Sequence, residues 1–105
     1  MEPDFTFLAD LAAEVQVPPD GILSRTIHTD DRLRVVLFAF SQGQELSAHT
    51  APVPALLYFV RGEASLRLGE EAREAKAGSF VYMAPRLAHG IVAKSPLVML
   101  LVMLK

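Results

Sequence analysis

The sequence predicts an all-β domain, an antiparallel sandwich or barrel, and three observations support this prediction. Most of the chain consists of strand-length runs rich in β-branched and aromatic residues. Glycines and prolines divide these runs at close spacing, at Gly43, Pro52, Pro54, Gly62, Gly69, Gly78, Pro85 and Pro96. The chain has no internal repeat, low-complexity tract or linker. Short strands at this spacing favour antiparallel sheets within one domain, residues 1–105.

The elements follow in order. Apolar residues near the amino terminus recur at helical spacing, at Phe7, Leu8, Leu11, Ala12 and Val15. This spacing predicts one short helix. Its cap would be Asp4 or Thr6, and Pro18 and Pro19 would end it. The predicted strands cover residues 22–28, 33–40, 55–60, 64–68, 72–76, 80–83, 90–93 and 97–104.

Composition excludes several classes of protein. Half of the residues (51%) are hydrophobic and 21% are charged, which is typical of a globular domain. The net charge of −2 and the scattered basic residues argue against nucleic acid as the main partner. The chain has no cysteine, which excludes disulfides, thiolate metal ligands and cysteine nucleophiles, and is compatible with a reducing compartment.

A membrane location is not expected. The longest apolar run, residues 97–104, is too short to span a bilayer as a helix. The first basic residue is Arg25, so the amino terminus lacks the cationic start of a secretory signal. We therefore expect a cytoplasmic protein without a membrane partner.

Two glycine-framed segments each hold one histidine. The first, GQELSAHTAPVPALLYFVRG, covers residues 43–62 around His49, and the second, GSFVYMAPRLAH, covers residues 78–89 and ends at His89. Their spacing resembles the two motifs of the cupins, a family of small jelly-roll barrels. The first cupin motif has a glycine, two histidines, a glutamate and a glycine, and its spacing falls on Gly43, His49, Ala51, Ala55 and Gly62. The second motif falls on Gly78, the turn at residues 84–86, and His89.

The resemblance implies a double-stranded β-helix, the jelly-roll barrel, with His49 and His89 facing its interior. In the family, three histidines and a glutamate hold a divalent metal, but Ala51 and Ala55 stand at two of those positions here. Two imidazoles suit a divalent transition metal such as iron, zinc, copper or nickel, yet bind it weakly alone. A pocket without a metal is therefore the favoured interpretation, and a metal held by His49 and His89 is the alternative.

A replacement carboxylate is not obvious. Glu45 has the same strand parity as His49, which would place both side chains on the inward face. Four residues of extended chain nevertheless span about 13 Å, too far for Glu45 to reach a metal at His49 unless the strand bends.

Alternation along the strands predicts which residues line the pocket. Starting from Ala55, the inward positions are Leu57 and Phe59, and Ile91 follows His89. Tyr82 and Met83 are adjacent, so one of them should face the pocket. For each of these residues ordinary core packing is the competing interpretation.

Some strands are apolar on both faces. Residues 97–104 and 55–60 carry apolar side chains at successive positions, although a barrel strand needs only one apolar face. The amino-terminal helix could cover part of the outside, and a symmetric partner subunit the rest. We therefore predict a homodimer.

Three functional hypotheses remain, and whether the protein is an enzyme stays open. The first is a protein that binds a small molecule in the barrel without a complete metal site. The second is a metal-dependent enzyme of the isomerase or oxygenase type using His49 and His89. The third is a dimeric structural module with a vestigial pocket. No serine lies in a nucleophile elbow and no glycine-rich phosphate loop precedes a helix, so no catalytic residue is assigned.

Overall fold

A computed structural model describes residues 4–105, and these residues form nine strands in two antiparallel sheets. The strands are β1 (Ile22–Thr29), β2 (Leu33–Phe40), β3 (Glu45–His49), β4 (Ala55–Arg61), β5 (Glu63–Leu68), β6 (Glu71–Lys76), β7 (Phe80–Met83), β8 (His89–Ala93) and β9 (Leu97–Leu104).

The larger sheet has the order β1-β2-β9-β4-β7, and the smaller sheet has the order β3-β8-β5-β6. Both sheets are built from strands distant in the chain, since β9 lies between β2 and β4, and β8 lies between β3 and β5. The predicted all-β class and jelly-roll architecture are therefore confirmed. The prediction omitted β3 as a separate run, because its residues, ELSAH, include no β-branched residue and no Phe, Tyr or Trp.

The core fills the space between the sheets. Its side chains alternate along each strand, as expected for sheets with one inward face. The members are Phe40, Ala55, Leu57, Phe59, Ala64, Leu66, Ala75, Met83, Ile91, Ala93, Leu97 and Met99.

The predicted amino-terminal helix is reduced to one 3-10 turn, Leu11–Glu14. Its cap is Asp10, whose carboxylate accepts a hydrogen bond from the Ala12 N–H at 3.1 Å, so the prediction of Asp4 or Thr6 is wrong. Phe7 is exposed, which shows that the apolar spacing does not mark one buried helical face. A helix this short has little stability of its own, and Asp10 fixes a later start.

The segment before β1 nevertheless covers part of the larger sheet from outside. Leu8 and Leu11 line one groove with Val35, on the face of β2 that points away from the core. Arg25 on the same face donates hydrogen bonds to the backbone carbonyl and the carboxylate of Glu14, at 3.0 and 2.8 Å. Leu37, the cross-strand neighbour of Arg25, is completely buried. Across residues 4–105 no helix is long and apolar enough to cross a membrane.

Candidate functional site

The two histidine segments meet where β3 pairs with β8. His49 and His89 are directly opposite each other in the register of these strands. Their ring centroids are 4.4 Å apart and the ring planes are inclined at 55°. Two segments that are distant in the chain therefore bring their imidazole rings together.

A β-bulge in β3 brings His49 onto the inward face. Glu45 pairs with Val92 and Leu46 with Ile91, but the register then shifts before His49 pairs with His89. Ser47 and Ala48 consequently both lie opposite Gly90. The extra residue reverses the alternation of β3, as bulges do.

The bulge overturns the parity expected for Glu45. Because Ile91 is buried and Val92 is exposed, Leu46 points inward and Glu45 points outward. His49 therefore shares a face with Leu46, and Glu45 belongs to the outer surface of the smaller sheet. Glu45 is no replacement for the missing carboxylate.

Gly90 lies opposite the bulge and packs closely against it. A Cβ atom at this position would lie 3.3 Å from the backbone nitrogen of Ala48 and 3.3 Å from the backbone oxygen of Leu46. Both contacts are with backbone, which cannot rotate away as a side chain can. A side chain at residue 90 would therefore press on the backbone of β3, where two residues of β3 crowd against one of β8.

Backbone hydrogen bonds fix which ring nitrogen of each histidine is free. The Nδ1 atom of His49 is 2.9 Å from the carbonyl oxygen of Ser47, and the Nδ1 atom of His89 is 2.9 Å from that of Leu87. A carbonyl oxygen only accepts, so Nδ1 carries the proton in both rings. In the neutral form each Nε2 atom then has an open lone pair, ready to accept a hydrogen bond or bind an electrophile.

The pair lies at the edge of the interior. His49 is exposed, whereas His89 is only 9% exposed. Within residues 4–105 there is no enclosed side-chain nitrogen or oxygen without a hydrogen-bond partner. The Nε2 atom of His89 makes no hydrogen bond to this part of the chain, so it must reach solvent although most of its ring is buried. The site thus has an inner imidazole and an outer one.

The residues present do not fit a metal held by the protein. Ala55 is buried beside Met83 and Met103, and Ala51 offers only its carbonyl oxygen, which accepts from the Arg86 N–H at 2.7 Å. In the described range, 4–105, no three His, Cys, Asp or Glu side chains are close enough to hold an ion. Two imidazoles without a carboxylate fall short of both structural and catalytic zinc or iron sets.

The other predicted pocket residues separate into two groups. Leu57, Phe59, Met83 and Ile91 are buried in the core between the sheets, with Ala55 among them. Tyr82 points to the other side of β7 and is exposed. Of the adjacent pair Tyr82 and Met83, Met83 is therefore the inward residue and Tyr82 the outward one.

Two charged residues on the histidine face were not predicted. In the smaller sheet His89 pairs with Leu68, and Leu68 pairs with Glu71. One row across the inner face therefore runs from His49 through His89 and Leu68 to Glu71. In the next row Arg73 is opposite Leu66, and its guanidinium donates to the Glu71 carboxylate.

These charged residues lie at the open side of the sandwich. A groove of about 430 Å³ between β6 and β7 is lined by Leu66, Leu68, Arg73, Val81 and Tyr82, among others. Side chains two residues apart on a strand share a face, so counting back from the buried Ala75 would have placed Arg73 and Glu71 on the inward face. Both side chains remain largely exposed, at 60% for Arg73 and 67% for Glu71, because β6 is an edge strand of the smaller sheet.

Structures of related proteins share this architecture. A conserved protein of unknown function from Streptococcus pyogenes is 28% identical, with a TM-score of 0.87, and the alignment covers 98% of this chain and 90% of that chain. KdgF from a Halomonas species is 26% identical, with a TM-score of 0.76 and coverage of 87% and 86%. A cupin superfamily protein from Desulfitobacterium hafniense is 22% identical, with a TM-score of 0.85 and coverage of 90% and 86%.

Sequence comparison identifies the family. Among functionally curated proteins, no significant match to this sequence is found. The family model of the cupin domain, however, matches residues 36–103, which include both histidine segments and six of the strands in full. Because this match covers more than half of the chain and agrees with the fold, the protein belongs to the cupin family.

Proposed function

We propose that this cupin domain binds a small organic molecule at the His49–His89 pair, and that the protein supplies no complete metal site there. The observation that carries the proposal is the fixed tautomer of both rings. Each Nδ1–H is held by a backbone carbonyl oxygen, at 2.9 Å in both cases, and each Nε2 is left available. Two adjacent acceptors of this kind can hold a ligand through two hydrogen bonds.

The surroundings indicate the chemistry of that ligand. Two neutral Nε2 atoms accept hydrogen bonds, so the bound portion of the ligand should carry hydroxyl or N–H donors. Leu46 and Leu68 flank the imidazole row on the same face and are half-buried, which offers contact to an apolar portion. Apolar walls with a few oriented polar groups are typical of small-molecule sites.

The metal-dependent enzyme is the weaker candidate. It would need a third protein donor near the imidazoles, and residues 4–105 offer no such cluster. The Nε2 atoms would also suit a metal ion that enters the site already chelated by a small organic molecule. Elemental analysis after purification without chelators distinguishes the two functions, because only the enzyme requires stoichiometric iron, zinc, nickel or manganese that disappears in His49→Ala.

The test of the binding proposal uses all three histidines of the chain. Native mass spectrometry of protein purified without chelators would detect a co-purified organic ligand, and long-range ¹H–¹⁵N NMR would report the tautomer of each ring. We expect the ligand to be retained by wild type and His28→Ala, and to be lost from His49→Ala and His89→Ala.

The expected NMR result is an Nδ1-protonated form for both His49 and His89. Equal ligand retention by His89→Ala and wild type would contradict the proposal. So would a ligand whose removal perturbs the ring signals of His28 and leaves those of His49 and His89 unchanged.

A further inference from the structure

We propose that Arg73 is the anion-binding end of the ligand site, and that the molecule bound in this barrel is an organic acid. The acid would be the same small molecule that the proposed function places at the His49–His89 pair, so this proposal rests on that function. The ligand would carry three parts in order: a hydroxyl or N–H donor at the imidazoles, an apolar middle, and a carboxylate at the guanidinium.

Arg73 shares the inward face of the smaller sheet with both imidazoles. Its cross-strand neighbour, Leu66, is buried and points inward. His89 lies one strand further on and two residues along, opposite Leu68. Two strand spacings and two residues therefore separate Arg73 from His89, which corresponds to about 12 Å between their α carbons. Both side chains project from the same side of the sheet, so one small molecule can contact both.

Leu68 links the histidine pair to the groove that contains Arg73. It is the cross-strand neighbour of His89, and it also lines the groove of about 430 Å³ between β6 and β7. Arg73 lines the same groove, with Leu66 and Val81 as apolar neighbours. The path from the imidazoles to the guanidinium is thus apolar between two polar ends, which suits the apolar middle of an organic acid.

Arg73 gives this groove its positive charge. Among the strand residues on the inward face of the smaller sheet, as described over residues 4–105, it is the one lysine or arginine. Glu74 also borders the groove, but it lies on the outer face of β6. Its carboxylate accepts hydrogen bonds from the Lys94 ammonium at 2.7 Å and the Ser65 hydroxyl at 3.0 Å. Because Glu74 is engaged elsewhere, the groove favours an anion.

Glu71 shows that the Arg73 guanidinium accepts a carboxylate in this position. Arg73 donates one hydrogen bond to the Glu71 carboxylate and another to the backbone carbonyl oxygen of Ala72, the latter at 2.9 Å. A guanidinium has five N–H donors in a planar fork, so three of them remain for a second carboxylate. Both charged side chains are largely exposed, and an exposed ion pair stabilises a protein little. A ligand carboxylate can therefore join Glu71 on Arg73, or replace it at small cost.

The first experiment measures which end group the site requires. The probes are phenols with a para acid chain of increasing length: 4-hydroxybenzoate, 4-hydroxyphenylacetate and 3-(4-hydroxyphenyl)propionate, each compared with its neutral primary amide. We expect titration calorimetry to show binding of at least one acid, and at least about tenfold weaker binding of its amide, which lacks the charge-assisted bond to Arg73. Equal affinities of acid and amide would overturn the proposal. So would a failure of all the acids to bind at millimolar concentration.

The second experiment tests the residue. Arg73→Gln should lower the affinity for the acid at least about tenfold and leave the affinity for the amide unchanged. Arg67→Gln is the matched control, because Arg67 is an exposed arginine on the outer face of the same sheet. Glu71→Gln should instead raise the affinity for the acid about two- to fivefold, because it removes the carboxylate that competes for the guanidinium. Equal losses in Arg73→Gln and Arg67→Gln would overturn the proposal.

NMR signals of the imidazole rings separate this proposal from the proposed function. If acid and amide bind equally and both shift the His49 and His89 signals, the histidine site stands and the carboxylate subsite at Arg73 is wrong. If the acid depends on Arg73 but leaves both ring signals unchanged, the anion subsite stands and the proposed function is wrong. Unchanged His28 signals in each variant would show that the fold is retained.

Discussion

His28 and the His49–His89 pair show two ways in which a strand can present a histidine. His28 has both nitrogens occupied: Nδ1 lies 3.1 Å from the Thr6 hydroxyl and Nε2 lies 2.8 Å from the Asp30 carboxylate. His49 and His89 each use only Nδ1, bonded to a backbone carbonyl two residues earlier.

The difference shows that burial alone does not make a histidine available to a ligand. His28 is half-buried and fully engaged, and it ties the amino-terminal segment to β1. His89 is more buried, yet its Nε2 atom makes no hydrogen bond to residues 4–105. What separates a structural histidine from a candidate binding residue is therefore the number of its nitrogens that the fold already uses.

The largest expected effect comes from Gly90→Val, which should break the histidine pair and spare His28. A Cβ atom at residue 90 already meets the backbone of Leu46 and Ala48 at 3.3 Å, so valine must displace β3. We expect destabilisation by about 1–3 kcal/mol, the usual cost of overpacking. Urea denaturation measures the stability. The NMR chemical shifts of the His49 and His89 rings should change, and those of the His28 ring should not. Unchanged chemical shifts for His49 and His89 would show that the bulge does not position the pair.

Removing the inner imidazole should have the next largest effect. His89→Ala eliminates one of the two proposed acceptors, and we expect the affinity for the co-purified ligand to fall about tenfold or more. Titration calorimetry with that ligand measures the change, with His28→Ala as the control of similar chemistry. If both variants lose the same affinity, the distinction between the two kinds of histidine is wrong.

A smaller effect concerns pH and the His28 site. Hydrogen bonding from His28, followed by the backbone N–H groups of Arg32 and Leu33, lowers the pKa of Asp30 from 3.8 to about 2. Because the pKa is lower in the folded state, Asp30 stabilises the fold above pH 3.8, and this contribution is lost as pH falls toward 2.

As pH falls over that range, the Tm from thermal unfolding should therefore decrease less for Asp30→Asn than for wild type. Asp31→Asn is the matched control, because His28 bonds to the carboxylate of Asp30 and Asp31 is the next acidic residue in the same turn. A wild-type profile parallel to that of Asp30→Asn would mean that the hydrogen bonds to this carboxylate do not persist in solution.

The smallest expected effect comes from Thr6→Val, which would free one nitrogen of His28 and make it resemble His49. Since Nε2–H donates to the Asp30 carboxylate, the neutral ring accepts at Nδ1 from the Thr6 hydroxyl. Loss of one such bond at an exposed site should cost about 0.5–1 kcal/mol in urea denaturation. Thr6→Ser, which keeps the hydroxyl, should retain wild-type stability. Equal stability of Thr6→Val and wild type would show that this bond contributes nothing.

Local sequence signals were sufficient for eight of the nine strands that the structure describes, and the family resemblance placed the two histidines toward one interior. Glycines and prolines separate the strands, and the spacing around His49 and His89 resembles a known motif pair. The bulge could not be anticipated, because it forms in the pairing of β3 with β8, a strand that lies far from β3 along the chain. Glu45 was therefore assigned to the wrong face, and Arg73 and Glu71 were missed on the face that carries the imidazoles.

The bulge also means that strand register can act as a variable in the design of this barrel. Pairing β3 with β8 without the bulge would restore simple alternation, so that Ser47, two residues before His49, would take the inward place that Leu46 holds now. The interior of a cupin strand could thus acquire or lose a polar side chain without any substitution. Engineers who wish to introduce a new ligand donor here could begin by shifting the register of β3 rather than by replacing its residues.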